Sequence, residues 1–339
     1  MDKLKFSILI PTYNGESVIK QTLLSILSQN YNNYEIIISD DHSSDKTIDI
    51  IKSYKDKRLK IYRNKKNLGY PGNLNNAYKK ASGDIIYLMG QDDILGSGAL
   101  NNTSQAFLIS PDIGAVIRPY YQFFDDIKIP VRNTGPQLNS KRNEIIKITD
   151  DPKKIILIIH NAGQLSGLAM RKKFITQPFH KDIFPCHVYP FMSVFKKHPL
   201  VFLKDYTVAV RIKSSQARNV AKIYDLSPIQ TWMDFINNIF TEPQFTPLKK
   251  YCIDNYIAKN YVGLVQIKNY SSKYRYLIRE IILLIKLRWK NIYNPLFWFF
   301  VIITLTIPKI FLRKITDWYK NEINSKKLKF IKFEYSLNA

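Results

Sequence analysis

The first hundred residues constrain this chain most. In them short β-branched runs alternate with stretches of helical periodicity. Phe6-Ser7-Ile8-Leu9-Ile10 reads as a buried strand, stopped by Pro11. Asn14 is placed to cap a helix in which Ile19, Leu23, Ile26 and Leu27 recur at 3.6-residue spacing. Glu35 to Ser39 is a second strand, Asp45 caps a second helix carrying Ile48 and Ile51, and Leu59 to Tyr62 is a short third strand. A helix from Gly72 to Lys80 leads into a fourth strand, Ile85 to Met89. Such alternation predicts an α/β fold, a mostly parallel sheet with helices on both faces.

Ligands of open parallel sheets sit outside the carboxyl ends of the strands. Here those ends are polar and acidic. Strand one runs into Pro11-Thr12-Tyr13-Asn14, strand two into Ser39-Asp40-Asp41-His42-Ser43-Ser44-Asp45, and strand four into Gly90-Gln91-Asp92-Asp93. Any one of these loops could be an ordinary turn; three on one rim predict a site. Packed carboxylates repel unless a cation sits among them. Oxygen ligands without His or Cys favour Mg²⁺ or Mn²⁺ over zinc.

Taken in order, Ser7 to Asn14, Ser39 to Thr47, Asn67-Leu68-Gly69, Gly83 to Leu88 and Gln91-Asp92-Asp93 resemble the family 2 glycosyltransferases of GT-A, Rossmann-like fold. The similarity is specific over residues 5–100 and weaker to about 215. Gly90 to Asp93 and Cys186 to Phe195 are similar to abequosyltransferase-like enzymes of O-antigen and polysaccharide assembly. The resemblance implies that Pro11, Thr12 and Tyr13 lie against the nucleotide base and ribose. It implies that Asp41 hydrogen-bonds the base with Asp40 beside it, that Asn73 and Asp92 belong to the nucleotide site, and that Asp93, the last acid of the DXD motif, contacts the metal. A divalent ion there would neutralise charge on the leaving nucleoside diphosphate.

The chain departs from the family pattern at three places. Gln91 replaces the first DXD acid, removing one charge near the metal. Gly72 stands where an Arg often precedes Asn73, so the diphosphate contact falls to Arg211 or Lys213. Cys186-His187 stands where many members carry a Glu-Asp pair. Inversion by direct displacement needs a base for the acceptor hydroxyl, and a neutral His suits the task. His187 is the expected catalytic base, or else a packing or capping residue before a helix from Val188 to Lys197; Asp182 and Asp205 are further candidates. Gly163 to Gly167 is read as an acceptor-side loop or an ordinary turn.

The basic excess is concentrated in the C-terminal third of the chain. The chain carries 51 Lys and Arg against 27 Asp and Glu, a net of +24. Residues 1–110 contribute 14 and 11, while residues 246–339 contribute 18 and 5. Helical signals take over after about residue 220: Ser227-Pro228 and Pro247 open helices, and residues 273–290 form a basic amphipathic pattern interrupted by Arg288. Leu296 to Ile307 is apolar but too short for the roughly 20 residues of a membrane span. With Lys309, Arg313, Lys314 and Trp318 beside it, it predicts a membrane-associating region binding an anionic membrane surface, peripheral or monotopic; the other reading is a packed hairpin with a solvated basic face. No nucleic-acid motif accompanies the charge, so no nucleic-acid partner is expected. Two cysteines, Cys186 and Cys252, and no signal peptide point to a cytoplasmic setting.

The expectation is therefore a GT-A domain over 1–220 and a helical, basic, membrane-associating region over 221–339. The expected activity is inverting transfer of a sugar from a nucleotide-sugar donor to a hydroxyl of a glycan acceptor. That acceptor would be polyprenyl-diphosphate-linked and the reaction would run at the cytoplasmic face of the cell membrane. The alternatives are transfer to polyprenyl phosphate, which needs no base, and a non-catalytic membrane-bound sugar-nucleotide binder.

Overall fold

The computed structural model describes residues 4–213 and 224–338. The chain forms two compact units, Met1–Ser214 with Lys327–Ala339, and Ser215–Lys326. The boundary expected after residue 220 lies outside the described residues. The C-terminal segment, expected in the helical region, belongs to the first unit.

The first unit is built on β1 (Phe6–Thr12), β2 (Tyr34–Asp40), β3 (Leu59–Arg63) and β4 (Ile85–Leu88), with α1 (Ile19–Leu27), α2 (Thr47–Lys52) and α3 (Gly69–Lys80) between them. These four strands lie parallel in the order β3-β2-β1-β4, with Ile8 opposite Ile36 and Tyr87. Residues on both faces of β1, β2 and β4 are buried: Ile8, Leu9 and Ile10, Ile36 to Ile38, and Ile85 to Leu88 are all fully covered. That explains why these strands read as continuous apolar runs. Beyond β4 the sheet becomes mixed. It continues through β10 (Ala169–Arg171), β6 (Ala115–Ile117), β11 (Leu200–Phe202) and β9 (Glu144–Ile146), with β10 antiparallel to both its neighbours. Helices α4 (Ala99–Leu108), α5 (Pro152–Ala162) and α6 (Val188–Lys197) belong to this half.

A second sheet joins β5 (Ile94–Leu95), β12 (Val208–Arg211), β7 (Tyr120–Phe123) and β8 (Arg132–Gly135). The C-terminal segment packs onto it. Ile331, Phe333 and Tyr335, spaced two apart, lie against a cluster containing Ile94, Tyr121, Phe123 and Ala209. Ser97 donates its backbone N–H to the Glu334 carbonyl at 2.7 Å, and the Ser28 hydroxyl bonds the Ser336 carbonyl at 2.9 Å.

The second unit is helical, with α7 (Pro228–Ile239), α8 (Thr246–Cys252), α9 (Val262–Tyr270), α10 (Tyr274–Leu287), α11 (Pro295–Thr306) and α12 (Lys309–Trp318). Ser227 caps α7 as expected, accepting from the Gln230 N–H at 3.0 Å, and Asn294 caps α11 through Leu296 at 2.9 Å. Arg288 breaks the amphipathic pattern because α10 ends at Leu287. Its guanidinium bonds Asn291, a buried residue whose amide also reaches the Ala258 and Leu284 carbonyls. No helix among the described residues is long and apolar enough to cross a membrane.

Candidate active site

The carboxyl ends of β1, β2 and β4 meet at one rim, and the side chains there divide into a loop-holding set and an acidic set. Asp41, buried after β2, accepts at Oδ1 from the Asn64 amide and the Leu68 N–H, both at 2.8 Å. Asn64 also donates to Asn73 at 3.0 Å, and Asn73 donates to the Thr12 carbonyl at 3.3 Å. One amide network therefore clamps the β1 and β2 loops to the start of α3. Asn14 (φ 45°) and His42 (φ 65°) adopt left-handed backbone in these loops, a strain that non-glycine residues accept where surrounding bonds enforce it.

Several expectations change here. Asn14 caps no helix: α1 begins at Ile19, and Asn14 accepts instead from the Ser44 N–H. Asp40 is consumed by its own turn. Its two oxygens accept from the Ser43 N–H and hydroxyl, with Arg63 at 3.5 Å, so it shapes the loop. The Thr12 side chain is buried and its hydroxyl returns to the Ile10 carbonyl. Asn73 is spent on the clamp, and its contribution is to loop geometry. Pro11 and Tyr13 sit half-buried at the mouth.

Gln91 explains its own departure from the acidic pattern. Its Oε1 accepts from the Tyr13 N–H at 2.9 Å, and its Nε2 donates to the Tyr13 carbonyl at 3.0 Å. A carboxylate could accept but not donate. The amide lies so close to Gly15 that a Cβ there would sit 2.6 Å from Oε1. Gln91 thus ties the β1 loop to the acidic loop. Thr22 of α1 braces the same loop, its hydroxyl lying 2.8 Å and 2.9 Å from the carbonyls of Gln91 and Asp93.

Asp93 is buried beside Asp92, and burial, then the Asp92 charge, push its pKa up to about 7. Its Oδ2 accepts from the Ser166 hydroxyl at 2.5 Å and the Gln164 amide at 3.0 Å; its Oδ1 accepts from the Arg211 N–H at 2.9 Å. The Arg211 guanidinium bonds the Asp92 backbone carbonyl and Gln21, which sets it beside the acidic pair. Lys213 is instead paired with Asp125 at 2.7 Å. Two adjoining carboxylates, one deeply desolvated, suit a hard divalent cation. Yet no group of three or more His, Cys, Asp or Glu among the described residues could hold a metal. The acids fit a cation only in a coordination shell completed by other oxygens, such as a diphosphate.

The loop Gly163 to Gly167, expected on the acceptor side, supplies Gln164 and Ser166 to Asp93. A residue missed in the sequence organises it. Arg118 is fully buried, with its guanidinium bonded to the carbonyls of Asn161, Gln164 and Ser166 and its Nε without an acceptor among the described residues. Burial lowers its pKa to about 10. Gly167 (φ 84°) lets the loop pass over it: a Cβ there would lie 2.8 Å from Nε. No periodicity or motif marks Arg118, because its role is read only from where the loop crosses β6 and β7.

His187 also differs from expectation. It is buried, its Nε2 lies 3.0 Å from the Ala162 carbonyl and its Nδ1 lies 2.9 Å from the Tyr70 hydroxyl. A carbonyl only accepts, so Nε2 carries the proton and Nδ1 accepts from Tyr70. Burial lowers its pKa to about 4. His187 is a neutral imidazole with both nitrogens engaged, which holds Tyr70 in place and leaves no lone pair for an acceptor hydroxyl. Of the other base candidates, Asp182 pairs with His180 at 3.2 Å and Asp205 is exposed.

A family model described as Glycosyl transferase family 2 matches residues 7–170, the span from β1 to β10 that holds the rim, the acidic pair and the Asp93 loop. Residues 7–170 thus carry the pattern of a family 2 glycosyltransferase domain. The chain is 24% identical over 291 residues to the GalNAc(5)-diNAcBac-PP-undecaprenol beta-1,3-glucosyltransferase of Campylobacter jejuni, covering 82% of this chain and 88% of that enzyme. It is 39% identical over 94 residues to the UDP-Glc:alpha-D-GlcNAc-diphosphoundecaprenol beta-1,3-glucosyltransferase WfgD of Escherichia coli, covering 28% of this chain and 37% of WfgD. The glycosyltransferase fold is shared with S. aureus TarS 1-349 in complex with UDP-GlcNAc (TM-score 0.64, 17% identity, 84% of this chain and 81% of that one). It is shared also with the mannosyltransferase PcManGT of Pyrobaculum calidifontis in complex with GDP-Man and Mn²⁺ (TM-score 0.53, 14% identity, 97% and 88%).

Proposed function

We propose that the protein is an inverting glycosyltransferase that moves a sugar from a nucleotide-sugar donor to a hydroxyl of a polyprenyl-diphosphate-linked glycan in cell-surface polysaccharide or O-antigen assembly. The single observation that carries this reading is the meeting, at one rim, of the Asp41 clamp with the Asp92–Asp93–Arg211 cluster. The clamp offers a fixed carboxylate, whose Oδ2 remains for a base edge. The cluster offers two carboxylates and a guanidinium, the groups that a diphosphate with Mg²⁺ or Mn²⁺ requires; bound there, the ion would stabilise the charge of the departing nucleoside diphosphate. Gln91 and Thr22 fix the distance between the two parts.

The activities for which the Campylobacter and Escherichia relatives are named, both on undecaprenyl-diphosphate-linked sugars, support the acceptor class. A lipid-linked acceptor would be met at the cytoplasmic face of the cell membrane by an enzyme attached there as a peripheral or monotopic protein. The test is a titration of nucleoside diphosphates and a turnover assay with Asp41→Ala and Asp93→Asn. Asp41→Ala should weaken nucleotide binding by about 10-fold or more, since a donor on the base is left unpaired at a cost of about 1–3 kcal/mol. Asp93→Asn should cut turnover by about 100-fold or more, the scale of a lost transition-state electrostatic contact. Unchanged affinity in the first variant and unchanged turnover in the second would remove the site from this rim.

A further inference from the structure

Helix α11 is apolar around its whole circumference, yet only Phe297, Val301 and Thr304 on one side of it are buried. Leu296, Trp298, Phe299, Ile302 and Leu305 are exposed, and at 100° per residue they cover a sector of roughly 180° without a charge. On α12 Leu312 points into the unit, while Ile310, Phe311, Ile315 and Trp318 are exposed over roughly 140°, with Lys314 within the sector, Arg313 on its flank, and Lys309, also exposed, at the helix start on the far side. A water-facing surface of this composition is rare on a protein without a partner.

Two further features identify the partner. The polar groups of α11 are satisfied internally. Thr306 and Thr304 return their hydroxyls to the Ile302 and Phe300 carbonyls at 2.8 Å and 2.7 Å, and the Trp298 indole donates to the Ile292 carbonyl at 2.7 Å. Such a face can leave water without stranding a donor. The surrounding segment is cationic: residues 268–320 hold eleven Lys and Arg against two acids, Glu280 and Asp317. Glu280 is buried against Arg279. A protein groove would need to match the apolar sector and the cations separately, whereas an anionic bilayer offers both as one flat surface. The 12 residues of α11 span about 18 Å, short of the roughly 30 Å hydrocarbon core, so the helix can enter the membrane but not cross it.

We propose that α11 and α12 form a monotopic insertion wedge whose partner is an anionic lipid bilayer. This deepens the lipid-linked acceptor reading and rests on it only for its purpose, because insertion needs neither nucleotide nor turnover. The experiment uses full-length protein without nucleotide, mixed with phosphatidylglycerol-containing vesicles or with phosphatidylcholine alone, and reads co-sedimentation and quenching of tryptophan emission by acyl-brominated lipids. The protein should bind the anionic vesicles with quenching, and raised salt should weaken binding without abolishing it. Phe299→Asp with Ile302→Asp should lower vesicle affinity by about 100-fold or more at unchanged Tm. Lys309→Glu with Lys314→Glu should lower it about tenfold on anionic vesicles and leave phosphatidylcholine binding unchanged. Trp318→Phe should remove part of the quenching, and Asp93→Asn should bind like the unmodified protein, which separates loss of the surface from loss of the activity. Protein left in the supernatant at low salt, or bound without quenching, overturns the proposal. So does a dimer dispersed by the two Asp substitutions without any vesicle binding, which would assign the face to a second copy of the chain.

Discussion

Arg118 and His187 illustrate how buried polar residues act on this site without facing a ligand. Arg118 places a charge under the Asn161–Ser166 backbone, and its three carbonyl partners have no other side-chain cation to turn to among the bonds of that loop. Arg118→Met should destabilise the fold by at least about 3 kcal/mol, since each stranded acceptor costs about 1–3 kcal/mol; chemical denaturation reads this directly, and a loss under 1 kcal/mol would mean that water substitutes for the guanidinium. His187 makes a pH prediction with a definite sign. Its folded pKa is depressed by burial from 6.5 to about 4. The unfolded chain therefore takes up a proton that the folded protein refuses, and stability falls as pH drops from about 6.5 to about 4, by as much as roughly 3 kcal/mol, and is flat above that window. His187→Gln keeps an acceptor for Tyr70 and a donor for Ala162, so its stability should lack this component; an unchanged pH profile would show that the imidazole is not held neutral. The sequence named His187 and Asp93 as chemically important, but residue type could not show that one is locked between Tyr70 and Ala162 and the other is held by Ser166 and Gln164. Those partners lie 25 to 117 positions away in the chain.

The elements that were legible in the sequence are those whose burial writes a period into it. β1, β2 and β4 are covered on both faces and appear as apolar runs; α7 begins at Ser227-Pro228 and α8 carries Pro247 in its first turn, because helix starts have a local signature. The second sheet was not legible: β5 has two residues and β8 is half-exposed, so neither carries a run long enough to read. The C-terminal segment was missed for a related reason. Ile331, Phe333 and Tyr335 alternate as a strand would, but no turn signal pairs them with a neighbour, and their partner surface lies on residues 94–123 and 206–209. This segment backs β5 and β12, the strands that adjoin Asp93 and carry Arg211. Deleting residues 328–339 should therefore lower Tm by several degrees and weaken nucleoside diphosphate binding, because three apolar side chains packed against the cluster contribute about 1.5–3 kcal/mol each when fully buried and somewhat less here. Thermal unfolding of the shortened protein checks this, and an unchanged Tm would make the segment an ornament of the fold.

At the scale of the whole molecule, the sequence placed an α/β part before a helical part, and the division was read from the helical signals that take over after about residue 220, together with the basic excess of the C-terminal third, +13 over residues 246–339 against +3 over residues 1–110. The two units supply different requirements of one proposed reaction, a nucleotide-sugar site in the first and a membrane-seeking surface in the second. Each can fail without the other: vesicle binding reads the second, and nucleotide titration reads the first. Their joint function is read most directly by product formation. Purified protein would be incubated with Mn²⁺, a panel of nucleotide-sugars, and either undecaprenyl-diphosphate-linked glycans or undecaprenyl phosphate in anionic vesicles, with the extracted lipid analysed by mass spectrometry. The account predicts that one donor adds a single sugar to a diphosphate-linked glycan, with no product from Asp93→Asn and none from undecaprenyl phosphate. Addition to undecaprenyl phosphate alone, or no addition with any donor while nucleotide still binds, would contradict it.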